Sequence, residues 1–110
     1  MPRRIETLVK ETYNWFSHST LRQIKYANLY SNINVGEEPL KILKVADTRW
    51  LSIAPCIDRI LKQYDVLKKH FEEAKRIEGC YMAEILYEMY LQPQFKLYLL
   101  FLKDILSQVY

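Results

Sequence analysis

The stretch that decides the fold is IAPCIDRILKQYDVLKKHF, residues 53–71. Its large apolar side chains recur at alternating intervals of four and three residues, which places them on one face of an α-helix: Ile53, Ile57, Ile60, Tyr64, Leu67 and Phe71. Pro55 falls in the first turn, where a missing N–H costs little, and Ser52 or Thr48 is the expected cap. The spacing predicts one helix of about 22 residues and about 33 Å.

Two helices are predicted before this stretch. The first runs from about Arg3 to Phe16 and turns the following side chains inward: Ile5, Leu8, Val9, Thr12, Trp15 and Phe16. The second ends at about Ser31, and a hydroxyl of Ser17 or Ser19 accepts from the free amides of its first turn. Its inward side chains are few: Leu21, Ile24 and Leu29.

Two more helices are predicted after it. Gly79 is a stop signal, and the Gln92-Pro93 pair ends the fourth helix because the residue before a proline disfavours helical backbone. The fourth helix spans about Cys80 to Leu91 with these residues inward: Met82, Ile85, Leu86 and Met89. The fifth starts at about Gln94 and repeats the 4-3 spacing at Phe95, Leu99, Leu102, Leu106 and Val109. Because this pattern still runs at the last residue, we expect the natural domain to continue further.

The main loop is predicted at about residues 32–48, where Asn, Gly, Glu and Pro supply turn chemistry. Its apolar segment LKILKV, residues 40–45, has no evident partner strand, so we expect a connector packed on the helices. The fold class is therefore all-α, with about five helices in an irregular antiparallel bundle. Residues 1–110 are expected to form a single helical domain.

Composition agrees with a small helical domain. The 110 residues are 50% hydrophobic with only 2 Gly and 4 Pro, which is enough apolar material for one core and too little length for two domains. A net charge of +3 permits nucleic-acid contact without arguing for it.

The longest apolar run, residues 97–102, is far shorter than the about 20 residues that span a bilayer. Without a signal peptide and with two dispersed cysteines, we expect a nuclear or cytosolic protein with no membrane partner.

No catalytic constellation is present in the sequence. Cys56 and His70 share one helix about 21 Å apart, too far for a nucleophile and its base. Asp58 and Asp65 are about 10.5 Å apart along that helix, too wide for a two-metal site. The histidines and cysteines lack metal-ligand spacing, and two glycines cannot build a phosphate-binding loop. We therefore expect no enzyme, no catalytic or metal-binding residue, no cofactor and no small-molecule substrate.

A group of basic residues and an indole stands out at the junction between the loop and the long helix. Lys41, Lys44, Arg49 and Trp50 lie close together in sequence. An indole and a guanidinium can hold an unstacked base while lysines contact phosphates. The alternative is structural: Trp50 packs as a hydrophobic staple at the helix start, and Arg49 pairs with Asp47.

With DTRWLS at this junction, TYNWFSHS before it and FKLYLLFLKDIL after it, the chain resembles hAT-superfamily transposase-like proteins. DTRWLS, residues 47–52, and the helix after it are similar to the "TRW-LS" segment of that family. TYNWFSHS, residues 12–19, followed by Arg22, resembles its "YNFFS-S-xxR" stretch. FKLYLLFLKDIL, residues 95–106, resembles its "YLxFLxxxL" helix. The three segments occur in the family's order and cover roughly the whole chain.

The resemblance implies the first part of an all-helical insertion in an RNase H-like catalytic core. In the family, two Asp and one Glu of that core bind divalent metal; all three positions are absent here, and Asp47 is not one of them. The family's upstream Cys-x-x-His motif, zinc-finger region and dimerisation region have no counterpart. The resemblance gives Arg49 and Trp50 a latent role near an active site, where the family's Trp handles a flipped base.

Three functions remain open from the sequence. The first is a non-catalytic fragment or domesticated remnant of a hAT-type transposase that contacts nucleic acid or protein. The second is a helical protein-interaction or oligomerisation module that uses the 4-3 stripes of residues 53–71 and 95–109 to bind a partner or itself. The third is a weak DNA-binding module built on Lys41, Lys44, Arg49 and Trp50.

Overall fold

The computed structural model describes residues 3–44 and 50–109, with side chains described for residues 4–44 and 53–105. This part of the chain forms six helices and no strand: α1 (Arg3–Ser17), α2 (Thr20–Ile33), α3 (Trp50–Lys62), α4 (Tyr64–Glu78), α5 (Tyr81–Leu91) and α6 (Pro93–Val109). The all-α class is confirmed. The helix count is six and not five, because the predicted long helix is divided in two.

The division of the long helix lies at Gln63. Its backbone N–H bonds to the carbonyl of Ile60 at 3.2 Å, one residue closer than in an α-helix. Its side-chain amide donates instead to the carbonyl of Arg59 at 3.1 Å, which a continuous helix would pair with the Gln63 N–H. One buried glutamine thus ends α3 without Gly or Pro. All six predicted stripe residues are nevertheless buried.

The start of α3 also differs from the prediction. The helix begins at Trp50, so Ser52 lies inside it and is not its cap, and Pro55 lies in the second turn. Pro55 is exposed there, where its ring does not press on the core but its nitrogen cannot donate the helical hydrogen bond. Thr48, the other predicted cap, lies outside the described residues.

The α1–α2 corner forms as predicted at its cap. The Ser19 hydroxyl accepts from the N–H of Arg22 at 3.2 Å, whereas Ser17 donates back to the carbonyl of Asn14. Side chains of α2 also satisfy the last carbonyls of α1, since the Gln23 amide donates to the carbonyl of Phe16 at 2.8 Å. This corner fixes α2 against α1 through polar contacts.

Of the three α2 side chains predicted to face inward, Leu29 packs on the core, but the prediction was wrong for the other two. Leu21 and Ile24 are 61% and 52% exposed, and the buried residue is Tyr26. The ring of Tyr26 packs on that of Phe16 with centroids 5.1 Å apart, and its hydroxyl donates to Gln63 Oε1 at 2.7 Å. A buried aromatic ring with a satisfied hydroxyl outweighs two aliphatic side chains in turning the helix.

The stop signals between the last helices are confirmed. Gly79 caps α4 in the left-handed region at φ +62°, and its N–H bonds to the carbonyl of Lys75, a conformation that costs side-chain-bearing residues energy. Gln92 separates α5 from α6. Leu86, Phe95 and Leu99 are buried as predicted, while the side chains of Leu106 and Val109 lie outside the described ones.

One hydrophobic cluster draws on all six helices and on Ile42, which lies in the segment between α2 and α3. The α4 helix packs chiefly on α5, and α3 packs chiefly on α6. The radius of gyration is 13.6 Å, close to the about 13 Å of a compact chain of this length. The antiparallel course of the helices and the single-domain organisation stay predictions.

Candidate functional site

The predicted nucleic-acid residues fall on the connector and at the start of α3. Lys41 and Lys44 are both exposed on the connector, residues 34–44. Trp50 is the first residue of α3, with its side chain outside the described ones, and Arg49 and Asp47 lie outside the described residues. The proposed pairing of guanidinium and indole, and its structural alternative, therefore stay predictions.

The predicted packing of residues 40–45 on the helices is confirmed at Ile42 and Leu43, whereas Val45 lies outside the described residues. Ile42 is buried between the exposed Lys41 and the half-buried Leu43. The Gln63 amide donates to the carbonyl of Leu40 at 2.9 Å, and the Cys56 thiol contacts the carbonyl of Lys44 at 3.6 Å. Polar groups of α3 and of its junction with α4 thus hold an irregular segment in place.

A pocket of about 350 Å³ opens between this connector and the α1–α2 corner. We call it the connector pocket. Its aromatic lining comes from Tyr13, Phe16 and Tyr26, and Pro39, Leu40 and Ile42 of the connector line it from the other side. Ser17, Gln23 and Lys41 also line it. The sequence offered no sign of it, since three segments meet there only after folding.

A second cluster surrounds the buried His70. The Trp15 indole N–H donates to His70 Nε2 at 2.9 Å. The Arg22 guanidinium lies 3.5 Å from the centre of the Trp15 ring and pairs with Glu78 at 3.5 Å. Burial, with smaller contributions from Arg22 and Lys25, lowers the pKa of His70 to about 4. The neutral ring is therefore the stable form inside the fold, and it accepts the indole hydrogen bond.

A polar pair also crosses the core between α1 and α5. The Thr12 hydroxyl donates to the carbonyl of Leu8 at 2.7 Å, so the Tyr90 hydroxyl, 2.8 Å away, donates to Thr12. The Tyr64 hydroxyl donates to the carbonyl of Tyr90 at 3.0 Å. Each of these buried hydroxyl groups has a hydrogen-bond partner. Because these hydrogen bonds form only in one alignment of the helices, they fix the register of the helices.

The outer side of α6 carries an apolar surface, which we call the α6 outer face. It consists of Leu97, Leu100, Phe101 and Ile105, which are 66%, 42%, 58% and 39% exposed. These residues recur at helical spacing around the exposed Asp104, on the side away from the buried Phe95–Leu102 stripe. The α6 helix is therefore apolar on two sides. The sequence pattern named only the buried one, because a 4-3 stripe does not tell which of two apolar sides faces the core.

The part of the chain that the structure describes holds both cysteines and both histidines. No group of three His, Cys, Asp or Glu side chains there has metal-binding geometry. No disulfide bond joins Cys56 and Cys80, and burial raises the pKa of the Cys56 thiol, which disfavours the reactive thiolate. Among the described residues, none of the helices combines the length and apolar character that crossing a bilayer requires.

Comparison with protein-family models, with curated proteins and with solved structures found no match to this chain. The resemblance to hAT-type transposases stays a prediction.

Proposed function

We propose that the chain is a non-catalytic helical docking module that binds another protein through the α6 outer face. The observation that carries the proposal is that α6 is apolar on two sides. A surface helix of a globular protein normally turns a broad polar side toward water, whereas the water-facing side of α6 carries four large apolar residues around one aspartate, Asp104. Contiguous exposed apolar surface of this kind marks interaction sites.

The resemblance to a transposase insertion supports the same role. An insertion within a larger enzyme packs against other parts of that enzyme, so a remnant of one keeps a surface shaped for docking. We accordingly propose that the chain derives from such an insertion and lacks the acidic catalytic residues. Its contact with a partner is then the activity to look for.

The size of the α6 outer face favours a single helix as its occupant. A fully exposed large side chain presents about 200 Å² to water. The exposed parts of Leu97, Leu100, Phe101 and Ile105 therefore add up to an accessible surface of roughly 400 Å². A stable interface between two folded chains needs about 800 Å² on each side, so a second copy would be held by too little surface. The 17 residues of α6 extend about 25 Å, which suits one amphipathic helix laid along it.

Charge along one edge of α6 adds selectivity. Lys96 and Lys103 are seven residues apart and share that edge; they pair with Asp65 at 3.8 Å and Asp58 at 3.0 Å. Lys62 approaches Asp58 as well, at 3.1 Å, so three lysines meet two aspartates. Partial burial alone would raise the pKa of Asp58, but hydrogen bonds from Lys103 and Lys62 hold this pKa below its ordinary value. Asp104 is also exposed on α6, but it lies away from this lysine edge, so the edge itself favours a partner helix with an acidic edge.

Two synthetic helical peptides test this proposal. Both carry leucines at 4-3 spacing; one has glutamates along its edge and the other has lysines. In fluorescence anisotropy we expect the glutamate peptide to bind saturably and at least about tenfold tighter than the lysine peptide. Phe101→Glu should weaken binding at least about tenfold. Leu21→Glu, an equally exposed substitution on α2, should leave binding unchanged.

Three results would contradict the proposal. They are no saturable binding of either peptide up to about 1 mM, equal loss of binding in both variants, or equal affinity for the two peptides. A dimer in light scattering that Phe101→Glu dissociates would instead make a second copy the occupant. Thermal melts provide the folding control, since both substitutions change exposed side chains and should alter stability by less than about 0.5 kcal/mol.

A further inference from the structure

We propose that the connector pocket binds a small aromatic anion, a planar ring system that carries one carboxylate or phosphate. None of the described residues that line this pocket belongs to α6, so this proposal is independent of the docking function. It also departs from the expectation of no small-molecule partner, which rested on sequence motifs alone.

The walls of the pocket suit a planar ring. Phe16 and Tyr26 form its buried aromatic side with ring centroids 5.1 Å apart, the half-buried Tyr13 contributes a third ring, and Ile42 faces it from the connector. Aromatic rings prefer such offset and edge contacts. The volume of about 350 Å³ lies within the about 300–1,000 Å³ of small-molecule sites.

The pocket is held open by hydrogen bonds that do not need a ligand. The buried Gln63 joins both sides of it, because its oxygen accepts from the Tyr26 hydroxyl at 2.7 Å and its nitrogen donates to the carbonyl of Leu40 at 2.9 Å. The Gln23 amide nitrogen donates to the carbonyl of Phe16 at 2.8 Å. A site that is already ordered loses less entropy when a ligand binds.

The charge of the pocket selects an anion. Lys41 is the one charged residue among the described side chains that line it, and its ammonium group forms no ion pair with any described residue. Glu37 and Glu38 are exposed on the same connector but do not line the pocket. An ammonium beside an apolar wall binds a carboxylate or phosphate through charge-assisted hydrogen bonds. The Gln23 amide oxygen supplies an acceptor for a ring N–H.

Isothermal titration calorimetry on the full chain tests the proposal with two anions and their neutral analogues. Indole-3-propionate and adenosine 5′-monophosphate distinguish a carboxylate from a phosphate; indole-3-propionamide and adenosine carry the same rings without charge. We expect at least one anion to bind, and to bind at least about tenfold tighter than its neutral analogue. The tighter anion identifies the group that Lys41 contacts.

Two lysine variants locate the site. Lys41→Gln should weaken binding of the anion at least about tenfold. Lys44→Gln, three residues along the same connector and outside the pocket lining, should change it less than about twofold. No saturable binding of either anion up to about 10 mM, equal affinity for the neutral analogues, or an equal effect of both variants would overturn the proposal.

Discussion

Mild acid should destabilise this fold through His70, which is 4% exposed. Its Nε2 accepts the Trp15 indole hydrogen bond at 2.9 Å, so a proton on that atom would remove the acceptor. The positive charges of Arg22 and Lys25 also oppose protonation. Glu73 and Glu78, the acidic residues that line the small opening beside the ring, do not offset these effects. Protonation therefore occurs far more easily in the unfolded chain than in the folded one.

The size and sign of the effect follow from the two pKa values. The pKa is about 4 in the fold against an ordinary 6.5, so the unfolded state binds more protons between these values. The stabilisation that comes from the neutral His70 ring is fully present above about pH 6.5 and is lost as the pH drops toward 4. Between about pH 7.5 and about pH 5 the loss should be about 2 kcal/mol, and it should level off near 3 kcal/mol below pH 4.

Urea denaturation at a series of pH values measures this loss. With a slope of about 2 kcal/mol per molar urea, the midpoint should fall by about 1 M between about pH 7.5 and about pH 5. The control is His70→Gln, whose amide oxygen can accept from the Trp15 indole but does not titrate. In that variant the midpoint should move by less than about 0.3 M over the same range.

Two outcomes would refute this reasoning. One is a wild-type midpoint that stays constant between about pH 7.5 and about pH 5. The other is a His70→Gln variant that loses as much stability as the wild type, because the acid effect would then arise elsewhere. An NMR titration of the His70 ring gives a direct check, with a midpoint near pH 4 expected.

Three substitutions test other parts of the fold, each by urea denaturation. Gln63→Leu should cost about 2–4 kcal/mol because it leaves the buried polar partners of Gln63 without hydrogen bonds. Gln94→Leu, at an exposed site, should cost less than about 0.5 kcal/mol. Equal costs would contradict a stabilising role for Gln63 at the junction of α3 and α4. Thr12→Val should cost about 1–2 kcal/mol, against less than about 0.5 kcal/mol for Thr7→Val on the same helix. A Thr12→Val variant as stable as the wild type would contradict a stabilising role for the buried Thr12–Tyr90 pair. Gly79→Ala should cost about 1 kcal/mol through its positive φ alone, since an added Cβ meets no atom within 4 Å; a stabilised variant would contradict this.

The periodic parts of the fold were predictable from sequence. The burial of Ile53, Ile57 and Phe71 follows from the sequence, because the other side of residues 53–71 is rich in charged side chains and only the 4-3 stripe can leave water. The stop at Gly79 follows from backbone sterics. These features depend on residues close together in the chain.

Features that depend on distant residues were not predictable. The break at Gln63 is stabilised by Tyr26 and by the carbonyl of Leu40, which lie 37 and 23 residues away. Tyr26 likewise turns α2 so that Leu21 and Ile24 face water. The connector pocket needs three separated segments, so its lining has no linear motif.

The most direct test of the docking function is NMR mapping of the glutamate-edged peptide on the chain, with methyl groups labelled. We predict that saturating peptide shifts the methyl resonances of Leu97, Leu100 and Ile105 and leaves those of Leu21 and Ile24, which are exposed on α2, unchanged. Shifts centred on α2, or spread equally over both helices, would contradict the assignment of the α6 outer face as the docking surface.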